Sequence, residues 1–318
     1  SVQWVYQRFH IVARVTLGQR VAIPLFTLAG VLVAGAYGQL VAPLVLELAV
    51  LAYYSLGSPP LEFRPVRDDG EARRLLRIGI PLSLLTVLYW GFRTADRTMV
   101  AVWLPVAQLG FFTFGLNFIN LGIQFIADFT NVLQPGLYAE LGRVGTVRPL
   151  SQRLNGLALL ILLVTAVGAN LAQAGFGMFV HLFVPRFEPS ISVFEILAFN
   201  LACGTAPILP SFLLSSTLLN RQNLMVAVQL VALGVNVALG YTALKLGFGL
   251  AGIAASSVGS QLLLAAAYYG YVHRHLFEPG RASGALRFYV QLAGLLAICA
   301  ATYLLMRVIA PYSPGAGG

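Results

Sequence analysis

Two arginines and one aspartate lie close together in an apolar part of the chain, at Arg93, Asp96 and Arg97. Residues four apart share a face of a helix, and residues three apart can pair, so Asp96 is placed to pair with Arg93. The cluster has a surplus of positive charge. Guanidinium groups keep their charge when desolvated and form paired hydrogen bonds to phosphate oxygens. The residue types predict an anion site; the alternative is an ion cluster that only locks two helices together.

A row of polar side chains recurs at helical spacing in the next apolar segment. Its members are Thr113, Asn117, Asn120, Gln124, Asp128 and Asn131. Steps of three and four residues put them on one face of a helix. Amide groups offer donors and acceptors together, which suits hydroxyl-rich ligands such as sugars, and Asn117, Asn120 and Gln124 are the candidates. The alternative is hydrogen bonding between helices.

Three carboxylates within apolar segments are candidates for ion coupling: Asp128, Glu47 and Asp96. Asp128 and Glu47 have no arginine beside them in the sequence. Burial favours the neutral form of a carboxyl group, so such a group can take up and release a proton near neutral pH. The alternative is that each only hydrogen-bonds a neighbouring helix.

The elements that carry these residues are predicted to be transmembrane helices. Of 318 residues, 58% are hydrophobic and 10% are charged, whereas soluble proteins have about 25% charged residues. The apolar residues form long blocks, and about 20 residues suffice to cross the hydrocarbon core. The predicted spans are 13–36, 38–57, 79–104, 107–131, 155–180, 191–215, 223–244, 249–271 and 287–309. The predicted fold class is therefore all-α, a polytopic transmembrane helix bundle of about nine spans.

The arginines are unevenly distributed between the segments that join these spans. They are concentrated in 1–14, 58–78, 140–153, 216–222 and 272–287, which fall on one side of the membrane if the helices alternate. Cytoplasmic loops are rich in arginine and lysine, so these segments are predicted to be cytoplasmic. Loop arginines that set the topology and contact anionic lipid headgroups account for the net charge of +9. We therefore expect no nucleic-acid partner.

Cysteines introduced at Ser58 and Thr146 should resist an impermeant thiol reagent added to intact cells. Both positions lie in arginine-rich segments, which membranes retain in the cytoplasm. The mass shift of the labelled protein measures the reaction, and cells opened with detergent provide the control. Rapid labelling of either cysteine in intact cells would overturn the predicted orientation.

The sequence has no pattern for catalysis, metal binding or a cofactor. Cys203 and Cys299 lie in apolar blocks, where we expect inert buried thiols. The four histidines form no ligand-spaced pair within a helix, and there is no glycine-rich loop for a nucleotide. We therefore expect no metal, no cofactor and no enzyme activity.

Several short motifs occur in a distinctive order along the chain. The first stretch contains Gly79-Ile80-Pro81-Leu82, Ala95-Asp96-Arg97, Leu109-Gly110-Phe111-Phe112 and Gln134-Pro135-Gly136-Leu137. The second contains Leu182-Phe183-Val184-Pro185-Arg186-Phe187, Leu219-Asn220-Arg221-Gln222 and the glycine-rich run 246–255. In this order they resemble the polysaccharide flippase branch of the multidrug/oligosaccharidyl-lipid/polysaccharide exporter superfamily. The resemblance covers nearly the whole chain, although Phe112 stands where the family usually has tyrosine.

The resemblance implies two six-helix bundles around a central cavity. On that template, 1–57 holds the last two helices of the N-terminal bundle and 58–78 is the cytoplasmic interbundle loop. Residues 79–273 form the C-terminal six-helix bundle, and 274–318 add one helix and a tail. The first four helices of the template are missing from the sequence, so we expect a fragment or a processed piece. Alternating access requires both bundles.

The function implied by the resemblance is flipping of a polyprenyl-pyrophosphate-linked oligosaccharide, a precursor of lipopolysaccharide or exopolysaccharide, across the inner (plasma) membrane. Arg97 is expected to be the principal residue that binds the pyrophosphate, with Arg93 and Arg20 as secondary candidates. Expected partners are the lipid-linked sugar, membrane lipids and other polysaccharide-assembly proteins. Three alternatives stay open: a cation-coupled multidrug exporter of the same superfamily, a membrane enzyme that modifies glycans, and a scaffold that does not transport.

Overall fold

A computed structural model describes residues 9–57, 69–144, 151–216 and 219–274, with a few isolated positions after residue 289. All regular secondary structure in these residues is helical, which confirms the all-α fold class. The helices are α1 (Phe9–Gly57), α2 (Asp69–Trp103), α3 (Val106–Val144), α4 (Ser151–Phe183), α5 (Ser190–Leu197), α6 (Phe199–Thr205), α7 (Ile208–Ser215), α8 (Gln222–Lys245) and α9 (Gly249–Val272). A short 3-10 helix, Pro185–Phe187, lies between α4 and α5.

Five helical stretches in the described residues are long and apolar enough to cross a membrane, which indicates an integral membrane protein. They are Val106–Arg143, Arg153–Phe183, Ser190–Ser215, Gln222–Lys245 and Gly249–Val272. Each contains one predicted span. The predicted span 79–104 lies in α2, whose charged residues reduce its apolar character. The predicted span 287–309 lies almost entirely outside the described residues.

The chain divides into two compact units, Ser1–Glu71 and Ala72–Gly318. Their boundary falls inside the segment 58–78, which the sequence analysis assigned to a loop. Because α2 already begins at Asp69, the last part of that segment is helical rather than a loop.

The first unit contains α1, which consists of two helices that meet at Gly35. This residue has φ 57° and ψ −134°, a backbone conformation that side chains disfavour. Gly30 and Gly38 then approach so closely that a Cβ on Gly38 would lie 1.8 Å from the carbonyl oxygen of Gly30. The apolar stretches Leu25–Gly35 and Val41–Tyr53 flank this turn. The turn that the sequence predicted near residue 37 is therefore present, two residues earlier.

The second unit contains two apolar clusters that lie towards opposite ends of its helices. One cluster contains Phe92 of α2, Leu141 of α3 and Tyr269 of α9. The other contains residues from the opposite parts of the same helices, including Val100 and Phe112. The clusters leave the middle of the bundle for polar side chains.

The most deeply buried of the five apolar stretches, Ser190–Ser215, is divided into α5, α6 and α7. The break between α6 and α7 occurs at Ala206 and Pro207, since proline cannot donate its backbone nitrogen to the helix. The break turns Asn200 and Gly204 towards the interior of the bundle, where both line a cavity.

Helices α8 and α9 form a tight hairpin. Gly247 and Gly249 turn the chain with φ 81° and 54°, values that glycine adopts readily. Beyond the turn, Gly252 allows close contact, because a Cβ there would lie 2.6 Å from the Cβ of Ala243. Ser256 and Ser260 continue this small-residue face and are buried, and small residues of this kind allow helices to approach closely.

Replacing Gly252 by leucine should destabilise the protein by about 1–3 kcal/mol, because the added side chain overpacks the hairpin. The matched control is Gly259→Leu on the same helix, where a Cβ would meet nothing within 4 Å. Thermal unfolding in detergent should give a lower Tm for Gly252→Leu only. Equal Tm values for both variants would contradict the close packing.

Candidate functional site

A cavity of about 480 Å³ lies in the second unit, between the two apolar clusters. Its volume falls in the range of about 300–1,000 Å³ that is typical of small-molecule sites. Helices α2, α3 and α6 to α9 all contribute to its wall. Among its polar lining residues are Arg93, Asp96, Asn120, Asn200, Gln229 and Gln261. Apolar side chains such as Leu82, Leu85 and Phe92 line it as well, so the cavity offers a ligand both polar groups and apolar surface.

Arg93 supplies the cationic side chain of the cavity wall. Its Nη1 donates a hydrogen bond to the hydroxyl of Tyr89, and its guanidinium carbon lies 5.3 Å from the centre of the Tyr89 ring. The ring of Trp90 lies 5.9 Å from the same carbon. Within the described part of the chain, Arg93 forms no ion pair. Two aromatic rings thus hold the guanidinium in position without neutralising it.

Asp96 is 2% exposed and lies at the centre of a hydrogen-bond network that joins four helices. Asn236 of α8 donates from Nδ2 to Asp96 Oδ1 at 2.8 Å. Ser257 of α9 lies beside the carboxylate, and its hydroxyl accepts a bond of 3.2 Å from Asn200 of α6. Asp96 therefore binds these side chains instead of Arg93, the partner that the sequence suggested.

Two asparagines of this network have side-chain oxygen atoms without partners. Oδ1 of Asn200 and Oδ1 of Asn236 are buried, and neither accepts a hydrogen bond. Leaving a buried acceptor unsatisfied costs about 1–3 kcal/mol. Each asparagine donates its Nδ2 to the network, so its unsatisfied Oδ1 is the cost of that arrangement.

Arg97 does not line the cavity, although the sequence made it the principal anion-binding residue. Its Nη2 donates to Oδ1 of Asn117 at 2.7 Å, while its Nε is buried without a partner. Asn117 is exposed. Arg93 and Arg97 are four residues apart on α2, but only Arg93 is among the residues that line the cavity. Of the two arginines, the structure brings Arg93 to the cavity wall; which of them binds an anion stays a prediction.

The polar row on α3 is divided between different surroundings. Asn120 lines the cavity, whereas Asn117 pairs with Arg97. Gln124 donates from Nε2 to Oδ1 of Asp128 at 2.8 Å, so these two bind each other one turn apart. Neither Gln124 nor Asp128 contributes to the cavity wall. Of the three amides proposed to contact a sugar, the structure brings only Asn120 to the cavity.

Two further candidates, Glu47 and Arg20, belong to the first unit. Glu47 is exposed and accepts hydrogen bonds of 3.4 Å from Nε2 of Gln19 at both carboxylate oxygens. The side chain of Arg20 lies outside the described residues.

Sequence reasoning missed the polar face of α8. Gln222, Gln229 and Asn236 recur every seven residues in an apolar helix, and all three are buried. A spacing of seven returns to the same helix face after two turns, so the pattern was visible in the sequence. Asn200, by contrast, is a single polar residue whose position depends on the broken stretch α5 to α7.

No protein-family model, curated protein or solved structure matches this chain. The class of protein is therefore defined by the fold and the cavity. It is a helical integral membrane protein whose second unit encloses a polar cavity with an arginine on the wall and a buried aspartate beside it.

Proposed function

We propose that this chain contributes to a transporter that flips a polyprenyl-pyrophosphate-linked oligosaccharide across the membrane. The observation that supports the proposal is Arg93, a guanidinium on the wall of a polar cavity with no ion pair in the described residues. A pyrophosphate leaving water needs charged donors to replace its hydration, and guanidinium groups provide them. The amides of Asn120, Gln229 and Gln261 offer donors and acceptors to sugar hydroxyls.

The proposal extends to topology and location. We propose nine spans, as in the superfamily fold without its first helices. The five apolar stretches support five of them; the two arms of α1, helix α2 and the segment 287–309, most of which lies outside the described residues, are proposed as the other four. The membrane is the inner (plasma) membrane, where lipid-linked sugars and the proteins that assemble polysaccharides would be the partners.

Coupling to an ion is proposed to occur at Asp96. Asp96 and Arg93 line the same cavity, so a negative charge on Asp96 repels an anionic headgroup at Arg93. A proton or a small cation such as sodium at Asp96 would remove that repulsion. Asp128 and Glu47 are less suitable, because neither lines the cavity.

A flipping assay tests the proposed function. The protein is reconstituted in vesicles with a lipid-linked oligosaccharide, and an impermeant glycosidase is added outside. The sugar of the inner leaflet should become accessible to the enzyme in the presence of the protein and stay protected in protein-free vesicles. The proposal would be contradicted if folded, correctly inserted full-length protein left the sugar of the inner leaflet protected, both with and without an ion gradient.

A further inference from the structure

Three amide side chains on the cavity wall are available to a ligand. They are Asn120 of α3, Gln229 of α8 and Gln261 of α9. Within the part of the chain that the structure describes, none of the three takes part in a side-chain hydrogen bond. Gln229 is 8% exposed, so its amide is enclosed by the protein and faces the cavity. Because a buried amide without a partner is costly, its presence here points to a ligand that satisfies it.

The polar groups of the cavity occupy successive levels along the helices. Helices α2 and α8 run in the same direction, since contacts pair successive positions along both. The pairs are Gly91–Leu233, Asp96–Asn236 and Trp103–Tyr241. At about 1.5 Å of rise per residue, Arg93 lies roughly 5 Å and Gln229 roughly 10 Å from the level of Asp96, both towards the start of their helices.

Gln261 is displaced towards the same end of the cavity. It lies one turn past Ser257, which is beside Asp96, and α9 runs in the opposite direction to α8 after the turn at Gly247 and Gly249. A diphosphate bound at Arg93 therefore has Asp96 towards one end of the cavity and the amides towards the other.

This order places the sugar of a bound headgroup beside the amides. Each amide offers a donor and an acceptor, which a hydroxyl or an acetamido group satisfies. A carboxylate on the same sugar is disfavoured, because Arg93 is the cation of the cavity wall within the described residues and already binds the diphosphate. The charges of the diphosphate and of Asp96 repel a further anion, and an unpaired buried charge is costly.

We propose that Gln229, with Gln261 and Asn120, forms a subsite for the sugar next to the diphosphate, and that this subsite selects an uncharged sugar over a uronic acid. The inference rests on the proposed function and adds the class of sugar that the cavity accepts. Gln229 determines the preference, since it is the most deeply buried of the three amides.

The test compares two lipids that differ at one carbon of the sugar, polyprenyl-diphosphate glucose and polyprenyl-diphosphate glucuronate. Native mass spectrometry of the full chain in nanodiscs at neutral pH should show that the glucose lipid binds about tenfold more tightly. Gln229→Leu should weaken binding of the glucose lipid about tenfold, because a sugar hydroxyl loses its partner, and should leave binding of sugar-free polyprenyl diphosphate unchanged. Gln229→Arg should reverse the preference by supplying a cation for the carboxylate.

The matched control is Gln222→Leu, the same substitution two turns away on the same helix face. Gln222 is also buried, but its Nε2 donates to the backbone oxygen of Ser215 at 3.2 Å and it does not line the cavity. This variant should keep the preference for the glucose lipid, even where its Tm is lower.

Each other outcome has a defined meaning. Equal affinities of the glucose and glucuronate lipids in the unaltered protein would overturn the subsite proposal, and so would equal losses of the sugar-free and glucose lipids in Gln229→Leu. If Gln229→Leu loses only the glucose lipid but Arg93→Ala binds sugar-free polyprenyl diphosphate like the unaltered protein, the sugar subsite stands and the proposed headgroup site fails. If Arg93→Ala loses that lipid and the Gln229 variants bind every lipid like the unaltered protein, only the subsite proposal fails.

Discussion

Replacing Arg93 by alanine is expected to weaken binding of a polyprenyl-diphosphate sugar by about 10- to 100-fold, which corresponds to the loss of charged hydrogen bonds worth about 1.5–3 kcal/mol. Arg93 is the cation on the cavity wall, and Tyr89 and Trp90 hold it there. Native mass spectrometry of the protein with the lipid measures the affinity. Transport in the vesicle assay should fall together with binding.

Two variants serve as controls for Arg93→Ala. Arg93→Lys should recover part of the affinity, because lysine keeps the charge but loses the planar pair of donors. Arg97→Ala removes a neighbouring cation whose Nη2 bonds Asn117 outside the cavity, so its effect should be clearly smaller. If Arg97→Ala lost more lipid affinity than Arg93→Ala, Arg97 would be the principal anion-binding residue, as the sequence suggested. That result would contradict the assignment of the diphosphate to the cavity at Arg93.

Replacing Asp96 by asparagine should make headgroup binding independent of the coupling ion. In the unaltered protein, diphosphate affinity should rise about tenfold with a lower pH or with added sodium, since either ion removes a negative charge beside the headgroup. The ion that produces the rise identifies the coupling ion. Asp96→Asn lacks that charge and keeps an oxygen to accept from Asn236, so it should bind with high affinity under all conditions.

Asp128→Asn and Glu47→Gln provide the comparison for this experiment. Asp128 accepts a hydrogen bond from Gln124, and Glu47 accepts two from Gln19. Both variants should keep the ion dependence of the unaltered protein. If the dependence disappears in either of them and persists in Asp96→Asn, the coupling site proposed at Asp96 is wrong.

Helix positions were largely predictable from the sequence. Blocks of apolar residues define spans because the bilayer core has a fixed thickness, and each of the five apolar stretches contains a predicted span. The predicted spans 13–36 and 38–57 also imply a break near residue 37, and the structure has it at Gly35. The segment 58–78 was less predictable, since its last charged residues are helical from Asp69 onward.

The site was only partly predictable. A helix wheel places Arg93 and Arg97 together, but only packing against α3 determines which of them meets the cavity. The partners of Asp96 come from helices that lie more than 100 residues away in sequence, as Asn236 does. Spacing along one helix carries no information about such contacts, although the repeat of polar residues on α8 does identify one face.

The central claim is that Arg93 binds the diphosphate of a lipid headgroup, and a double-mutant cycle tests it most directly. The affinities of unaltered protein and Arg93→Ala are measured for polyprenyl-diphosphate and polyprenyl-monophosphate sugars that are otherwise identical. The account predicts that removing one phosphate weakens binding to the unaltered protein by about tenfold and has little effect in Arg93→Ala, so the two changes are coupled. Equal effects of phosphate removal in both proteins would show that Arg93 does not contact the diphosphate, and would contradict the account.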